Sequence, residues 1–505
     1  MIHTGYNSAA MPRVVLISTY DLGRQPFGLA SPAAWLKRAG AEVRCLDLAV
    51  EPFDEIAVHD ADLVALFLPM HTATRLGAKA LERVKALNPR AHLCGYGLYA
   101  PMNEAFLHGL GVHTVLGGEY ESGLVKLAEA LRAAPGVPSR APESKALAGR
   151  RGAKAGATVV PSTPCHIDAP SRSHEAMPTI SLERQEFLVP DRSGIPALSA
   201  YARLVDGQGT PRLVGYTEAS RGCKHLCRHC PVVPVYQGRF RIVQREVVQA
   251  DIRQQVAVGA EHITFGDPDF FNGVGHAIPV VKALHQEFPK LTYDVTIKIE
   301  HLLKHAAHLA TLRETGCLFV TSAVESIDDR VLQCLDKGHT RADFLRVVQL
   351  CRDAELTLHP TFVTFTPWTS LGGYQQLLTQ LEAMDLVEQV APIQLAIRLL
   401  IPAGSKLLEL AEVRSLVQPF DSVALVYPWR HPDPQVDELH ARVHAMVRDG
   451  ITQGLEQREV FSRVWELGER AGGGDHRAPQ SASRLPAMRD ARRPPIPYLT
   501  EPWYC

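Results

Sequence analysis

The 505-residue sequence predicts an α/β protein, built as a doubly wound parallel-sheet domain followed by a partial or full (β/α) barrel. Three observations carry this. Short apolar runs alternate with amphipathic segments from Arg13 to about Leu131. The same alternation returns from Val214 to about Leu408. Between them lies a stretch without any period, rich in Ala, Pro, Ser, Gly and Arg. A chain this long exceeds one ordinary core, so several domains follow from length alone.

In the first half, Arg13–Ser18, Glu42–Leu48, Asp62–Leu68, Ala91–Tyr96 and His113–Leu116 read as strands. Pro32–Arg38, Ala73–Leu87 and Glu121–Leu131 read as helices. Apolar strands alternating with helices imply a parallel sheet covered on both faces. Five strands suggest a flavodoxin-like domain over residues 12–132, with a ligand site at the carboxyl ends of the strands. Residues 133–178 lack the apolar surface needed to offset their ordering entropy and read as a linker. The second domain starts near Ile180–Pro190 and runs to 410. Its strands are Val214–Ala219, His262–Gly266, Tyr293–Lys298, Leu318–Ala323, Thr357–Phe365 and Ile393–Leu399. Helical patterns such as Val247–Val258 and Ala342–Ala354 lie between them, so chemistry is expected at the carboxyl ends of these strands. Residues 411–471 read as a helical extension and 472–505 as a flexible tail.

Lys plus Arg number 53 and Asp plus Glu 54, which leaves no electrostatic footprint for nucleic acid or an anionic membrane. No apolar run approaches the roughly 20 residues of a membrane span. Met1–Ala10 lacks the pattern of a signal peptide, so a cytoplasmic protein is expected. Of ten cysteines, seven are scattered, and Cys45, Cys94 and Cys317 sit in apolar surroundings as expected of small buried hydrophobes.

The other three are Cys223-Lys-His-Leu-Cys227-Arg-His-Cys230, directly after the first barrel strand on a loop opened by Ser220-Arg221-Gly222. Three thiolates on one tight loop can hold three irons of a cubane and leave the fourth iron open for chemistry. A zinc site that recruits His225 or His229 is the alternative, although both histidines are interleaved on the same short loop. A ferredoxin-type carrier would need a fourth cysteine close by.

This motif and its place resemble the radical S-adenosylmethionine (SAM) superfamily. The resemblance implies a [4Fe–4S] cluster on Cys223, Cys227 and Cys230, with SAM chelated on the open iron. It also implies reductive cleavage of SAM to a 5′-deoxyadenosyl radical and an electron donor such as flavodoxin or ferredoxin. Phe265-Gly266-Asp267-Pro268-Asp269 resembles the acidic segment that holds the methionine amino group, or else is an ordinary turn. Ala323-Val324-Glu325-Ser326 resembles the family's Gly-x-Glu-Ser segment, with Glu325 toward the ribose or an Arg. Arg398, inside an apolar strand, would meet the SAM carboxylate or form a structural salt bridge. Tyr236 would cover adenine.

The first domain is similar to the cobalamin-binding domains fused to such barrels. Gly28, His71, Thr72, Gly95, Gly97, Gly118 and Glu119 stand at the matching strand ends, where glycines let a flat corrin approach the backbone. The Asp-x-His-x-x-Gly motif that places histidine on cobalt is absent between Met1 and Leu131. The expected function is cobalamin-dependent methylation of an unactivated carbon. The alternatives are rearrangement or cyclisation without methyl transfer, or a non-catalytic iron–sulfur or zinc sensor. A methylthiotransferase would need a second cysteine triad, and Cys45 and Cys94 stand alone. No catalytic residue and no substrate is legible. The ending Pro497–Cys505 resembles a subgroup named for a Cys-Sec-Ala-Glu-Pro or Cys-Cys-Ala-Glu-Pro tail, so Cys505 is expected to begin that tail.

Overall fold

The structure is a computed structural model that describes residues 12–133, 178–205, 209, 211–472 and 497–500. Arg13–Ser18 (β1), Glu42–Asp47 (β2), Leu63–Phe67 (β3), His92–Tyr96 (β4) and Thr114–Gly118 (β5) form a parallel sheet in the order β2-β1-β3-β4-β5. This is a doubly wound order. Alternate residues of β1 explain why both faces are apolar. Val14 and Leu16 enter one core with Leu29 and Leu124, while Val15 and Ile17 enter the other with Leu81 and Val84. Ile180–Ser181 (β6) adds a sixth parallel strand beside β5, so the sheet takes a strand from beyond residues 134–177.

The helix Phe27–Arg38 begins five residues before the expected Pro32. Proline lacks the N–H that would bond the Gly28 carbonyl. The Tyr96 hydroxyl donates to that carbonyl instead, at 2.8 Å. The helix therefore runs through its proline on a bond supplied by β4. Glu55–Asp60 and Glu104–Gly109, two one-turn helices, have no counterpart in the sequence pattern.

Arg203–Val205 (β7), Pro211–Thr217 (β8), Ser220–Gly222 (β9), Phe240–Ile242 (β10), His262–Phe265 (β11), Thr292–Thr296 (β12), Cys317–Glu325 (β13), Thr357–Phe362 (β14) and Tyr498–Leu499 (β15) complete the strands. Strands β14-β13-β12-β11-β8 are parallel, and β7 and β15 extend the β8 edge antiparallel. The result is a partial barrel. The expected strand at Ile393–Leu399 is a correction: Pro392–Leu395 is a 3₁₀ turn, and one parallel bridge, Phe365 to Arg398, remains. Pro392 opens that turn and cannot donate to a ladder.

Pro434–Thr452 and Gln457–Ala471 are amphipathic helices whose Val436, Val443, Val460 and Val464 join the barrel's core. No helix among the described residues is long and apolar enough to cross a membrane.

Candidate active site at the mouth of the partial barrel

Strands β9 and β10 pair antiparallel, Phe240 opposite Gly222, so residues 223–239 form one closed excursion from the end of β8. It carries the three cysteines and the short helix Val232–Tyr236. Gly222 sits at φ +75°, and a Cβ there would lie 2.3 Å from the Tyr236 ring. Only glycine accepts both the conformation and the contact. Cys227 is buried, Cys223 and Cys230 are half-buried, and the last two pack on Val232, Val235 and Tyr236. Burial pushes the Cys230 thiol up to about 12 and raises that of Cys223, with neighbouring thiols adding to both. The loop is fixed from two sides. Arg228 N–H donates to the Leu335 carbonyl at 2.9 Å, and its guanidinium reaches the carbonyls of Gln333 and Cys334. Lys224 N–H and Nζ reach Asn272.

Glu325 ends β13 at a register shift against β14 and takes φ +69°, which turns its side chain over the mouth. It lies 3.0 Å from His229 Nε2 and 3.2 Å from Lys337 Nζ. Burial alone would raise its carboxyl, yet Lys337 and His229 hold it at about 2. Lys337 is 3% exposed, and burial works against its charge. Glu325 and the Cys227 and Cys230 thiols outweigh that and raise its pKa. A fixed cation thus faces two of the three sulfurs. Nothing in the sequence pattern marked Lys337 as buried.

The two aspartates after β11 divide. Asp267 accepts from Ala219 N–H at 2.9 Å and Ser220 Oγ at 2.5 Å, and burial raises its carboxyl to about 7. It braces the strand that launches the cysteine loop. Asp269 caps Phe271 N–H and lies 2.6 Å from His301 Nδ1 and 3.4 Å from His225 Nε2. Burial would raise Asp269, but the two histidines hold it below its ordinary value. His301 was not singled out in the sequence, where it stands four and seven residues before His305 and His308.

Arg398 lies at a different place. It pairs with Asp437 at 2.8 Å, donates to the Trp429 carbonyl at 3.0 Å and stacks 3.7 Å from the Trp429 ring. The structural salt bridge is therefore the alternative its geometry favours, because the guanidinium is already satisfied.

Arg221, next to the cysteine loop, plugs the first domain into the second. It lies 2.7 Å from Glu121, 3.2 Å from Glu119 and 2.7 Å from Glu218, over the rings of Phe187, Phe27 and Tyr120. Glu119 is thus spent on an interdomain ion cluster, where burial lifts its carboxyl to about 7. Gly118, at φ +70°, has the Ser181 carbonyl of β6 where a Cβ would stand. Gly28 is covered by the Phe67 ring and Gly95 is buried in β4. His71 opens the helix His71–Leu87 and lies 2.5 Å from the Ala424 carbonyl through Nε2. Thr72 follows it, half-buried. Gly97, buried at the carboxyl end of β4 with φ +110°, has the Leu68 carbonyl 3.0 Å from where a Cβ would stand. At the ends of β1 and β2 a cavity of about 330 Å³ is lined by Thr19–Asp21, Arg24, Leu48–Val50 and Tyr201.

Residues 217–367 match the Radical SAM superfamily. A hopanoid C-3 methylase of Methylococcus capsulatus is 23% identical over 367 residues, covering 71% of this chain and 64% of the relative. A ribosomal protein uS12 methylthiotransferase of Chlorobium phaeobacteroides is 20% identical over 183 residues, 35% of this chain and 42% of the relative. The chain thus spans under two thirds of the length of each. Among solved structures, the radical SAM methyltransferase TsrM of Kitasatospora setae, with cobalamin and a [4Fe–4S] cluster bound, superposes with TM-score 0.53. It is 19% identical and covers 74% of this chain and 71% of that one. The apo form of the cobalamin-dependent radical SAM enzyme OxsB gives TM-score 0.66 at 13% identity, covering 91% and 71%. At such identities the likeness establishes the fold. Residues 217–367 are a Radical SAM superfamily domain, set in a chain that shares its two-part fold with cobalamin-dependent enzymes of that superfamily.

Proposed function

We propose that this protein is a cobalamin-dependent radical SAM enzyme that methylates an unactivated carbon. The observation that carries the reading is the cysteine triad on one closed loop, Cys227 buried and Cys223 and Cys230 half-buried, beside the buried Lys337–Glu325 pair. The residues fit a [4Fe–4S] cluster. The Cys223 and Cys230 thiols, raised by burial and by their neighbours, gain from an iron cation, and Lys337 offsets the negative charge that remains. A bound cluster with SAM on its open iron supplies reductive cleavage of the sulfonium. The chain's own part is to seat the triad, keep Glu325 ionised over the mouth and exclude water around the reacting groups.

Cobalamin belongs at the carboxyl ends of the first sheet, the ligand-binding edge of a doubly wound fold. The cavity beside β1 and β2 fits part of such a cofactor, and Gly28, Gly97, Gly118 and Glu119 are engaged in packing instead. His71 is held against the Ala424 carbonyl, which supports a cobalamin that would bind without this histidine on cobalt. The similarity to the hopanoid methylase supports carbon methylation over rearrangement. Cys45 and Cys94 are separately buried and free, which supports no second cluster triad of the methylthiotransferase kind.

Anaerobic reconstitution tests the proposal. Wild type should take up about four irons and form 5′-deoxyadenosine with dithionite. Cys223→Ala, Cys227→Ala and Cys230→Ala should each abolish product, and SAM cleavage by the triple variant would overturn the cluster. Label from the SAM methyl group should reach the product. An electron donor such as flavodoxin or ferredoxin would replace dithionite in the cytoplasm. Membership of the Cys-Sec or Cys-Cys tail subgroup rests on Pro497–Cys505, of which 501–505 lie outside the described residues. A TGA codon after Cys505, followed by codons for Ala-Glu-Pro, tests it.

A further inference from the structure

The cysteine excursion is covered on one side by the first domain, where Leu98, Ile180 and Leu182 pack on the helix Val232–Tyr236. On a second side His229 meets Glu325 at the mouth, and on a third Arg228 N–H holds the Leu335 carbonyl. The remaining edge is open. Leu226, beside Cys227, is 47% exposed, and Ile242, the last residue of β10, is 46% exposed. Lys224, Gln237 and Arg239 are exposed with them. Leu226 lies against Gly238, where a Cβ would stand 3.3 Å from its Cδ2, and the next four residues lead to Ile242. The charge on this stretch has one sign. Between Gly222 and Gln244 the chain carries Lys224, Arg228, Arg239 and Arg241, and no Asp or Glu. Lys224, Arg228 and Arg241 donate to backbone carbonyls, and among the described residues none of the four is paired with a carboxylate. Arg221, just before this stretch, spends its charge on three glutamates instead.

We propose that this edge, with Leu226 and Ile242 as its apolar contacts and Lys224 and Arg239 as its cations, is the docking surface of an acidic one-electron carrier protein. The inference rests on the cluster reading and names the partner of that same site. The carrier's reduced centre gives one electron to the oxidised cluster and is itself oxidised by one electron, and no bond forms or breaks. Two exposed apolar side chains are too few for a permanent interface. They suit the small, transient contacts of electron-transfer encounters, which bury less than about 1,200 Å². In such encounters unpaired charge serves to steer the partner and set its orientation. The edge also lies on the loop of the triad itself, so a carrier seated there meets the cluster without entering the mouth, which is left to SAM and substrate.

The test uses reconstituted full-length protein and measures 5′-deoxyadenosine formed from SAM under two reductants. One is dithionite, and the other is an acidic bacterial flavodoxin or ferredoxin reduced by its NADPH-dependent reductase. With the carrier limiting, the wild-type rate should fall about tenfold as NaCl rises from about 50 to 300 mM, and the dithionite rate should change far less. Arg239→Glu and Leu226→Gln should each raise the carrier concentration for half-maximal rate about fivefold or more, with iron content and the dithionite-driven rate unchanged. Lys224 stays intact because it also fixes the loop. Carrier-driven rates unchanged in both variants would overturn the proposal, as would a carrier-driven rate indifferent to salt. So would wild type that responds to dithionite but to neither carrier, or variants that lose both rates equally with iron retained. Wild type that forms no product even with dithionite would instead refute the cluster reading, so the two failures are distinguishable. Ile242→Gln serves if Leu226→Gln loses its iron.

Discussion

Arg221→Met should uncouple the two halves of the molecule. In the native protein the guanidinium is 6% exposed and faces Glu119, Glu121 and Glu218 at 3.2, 2.7 and 2.7 Å. Methionine keeps much of the contact with Phe187, Phe27 and Tyr120 but removes the charge. Three carboxylates then remain without their cation, two of them buried. Breaking a buried pair in this way costs about 3–5 kcal/mol. The loss should depend on pH with a definite sign. Unpaired, the carboxylates have folded-state pKa values raised above their unfolded ones, so the folded variant binds more protons than the unfolded chain. Stability of the variant therefore falls as pH rises through that window. Glu119, already at about 7 with Arg221 present, places the window's upper part at or above neutrality. Urea unfolding under anaerobic conditions at pH 5.5 and 8 measures this. The deficit against wild type should be largest at pH 8 and shrink at pH 5.5, and iron content should fall because Arg221 is two residues from Cys223. A deficit below about 1 kcal/mol at pH 8, the range of exposed pairs, would refute the reasoning. So would a deficit equal at both pH values.

Glu325→Gln should leave Lys337 buried without its carboxylate, at a cost of about 3 kcal/mol, read in the same urea assay. In wild type the Glu325 carboxyl is held at about 2, below its ordinary 4.5, so its contribution is complete above that value and lost as pH falls toward 2. Acid titration of the variant should lack that step. Gly222→Ala places a Cβ 2.3 Å from the Tyr236 ring and 2.6 Å from the Arg239 carbonyl at φ +75°. It should cost about 1–3 kcal/mol and lower iron per chain, which metal analysis checks. Arg398→Met should lose about 1–2 kcal/mol through Asp437 and Trp429 and leave SAM affinity unchanged. A tenfold weaker SAM affinity at unchanged stability would return Arg398 to the cofactor.

The sequence by itself determined the alternation of strands and helices and the cysteine loop, because these are local. Strand period, helix period and a C-x₃-C-x₂-C spacing are each set within a dozen residues, and neighbouring groups impose them. The five strands of the first domain and the loop at the end of β8 lie where the local pattern puts them. Side-chain partners were not legible, since they depend on which distant segments meet. Asp267 and Asp269 look equivalent in sequence, yet one braces Ser220 and the other faces His301, 32 residues further on. Arg398 reads as a buried cation awaiting an anion, and the anion is Asp437, brought up by the C-terminal helices. Glu119 stands where a corrin loop was expected, and tertiary packing gave it Arg221, 102 residues away. Only the assembled barrel mouth decided that Lys337 is buried, because an ammonium leaves water only where a fixed counter-charge meets it, and that is Glu325 at the end of β13.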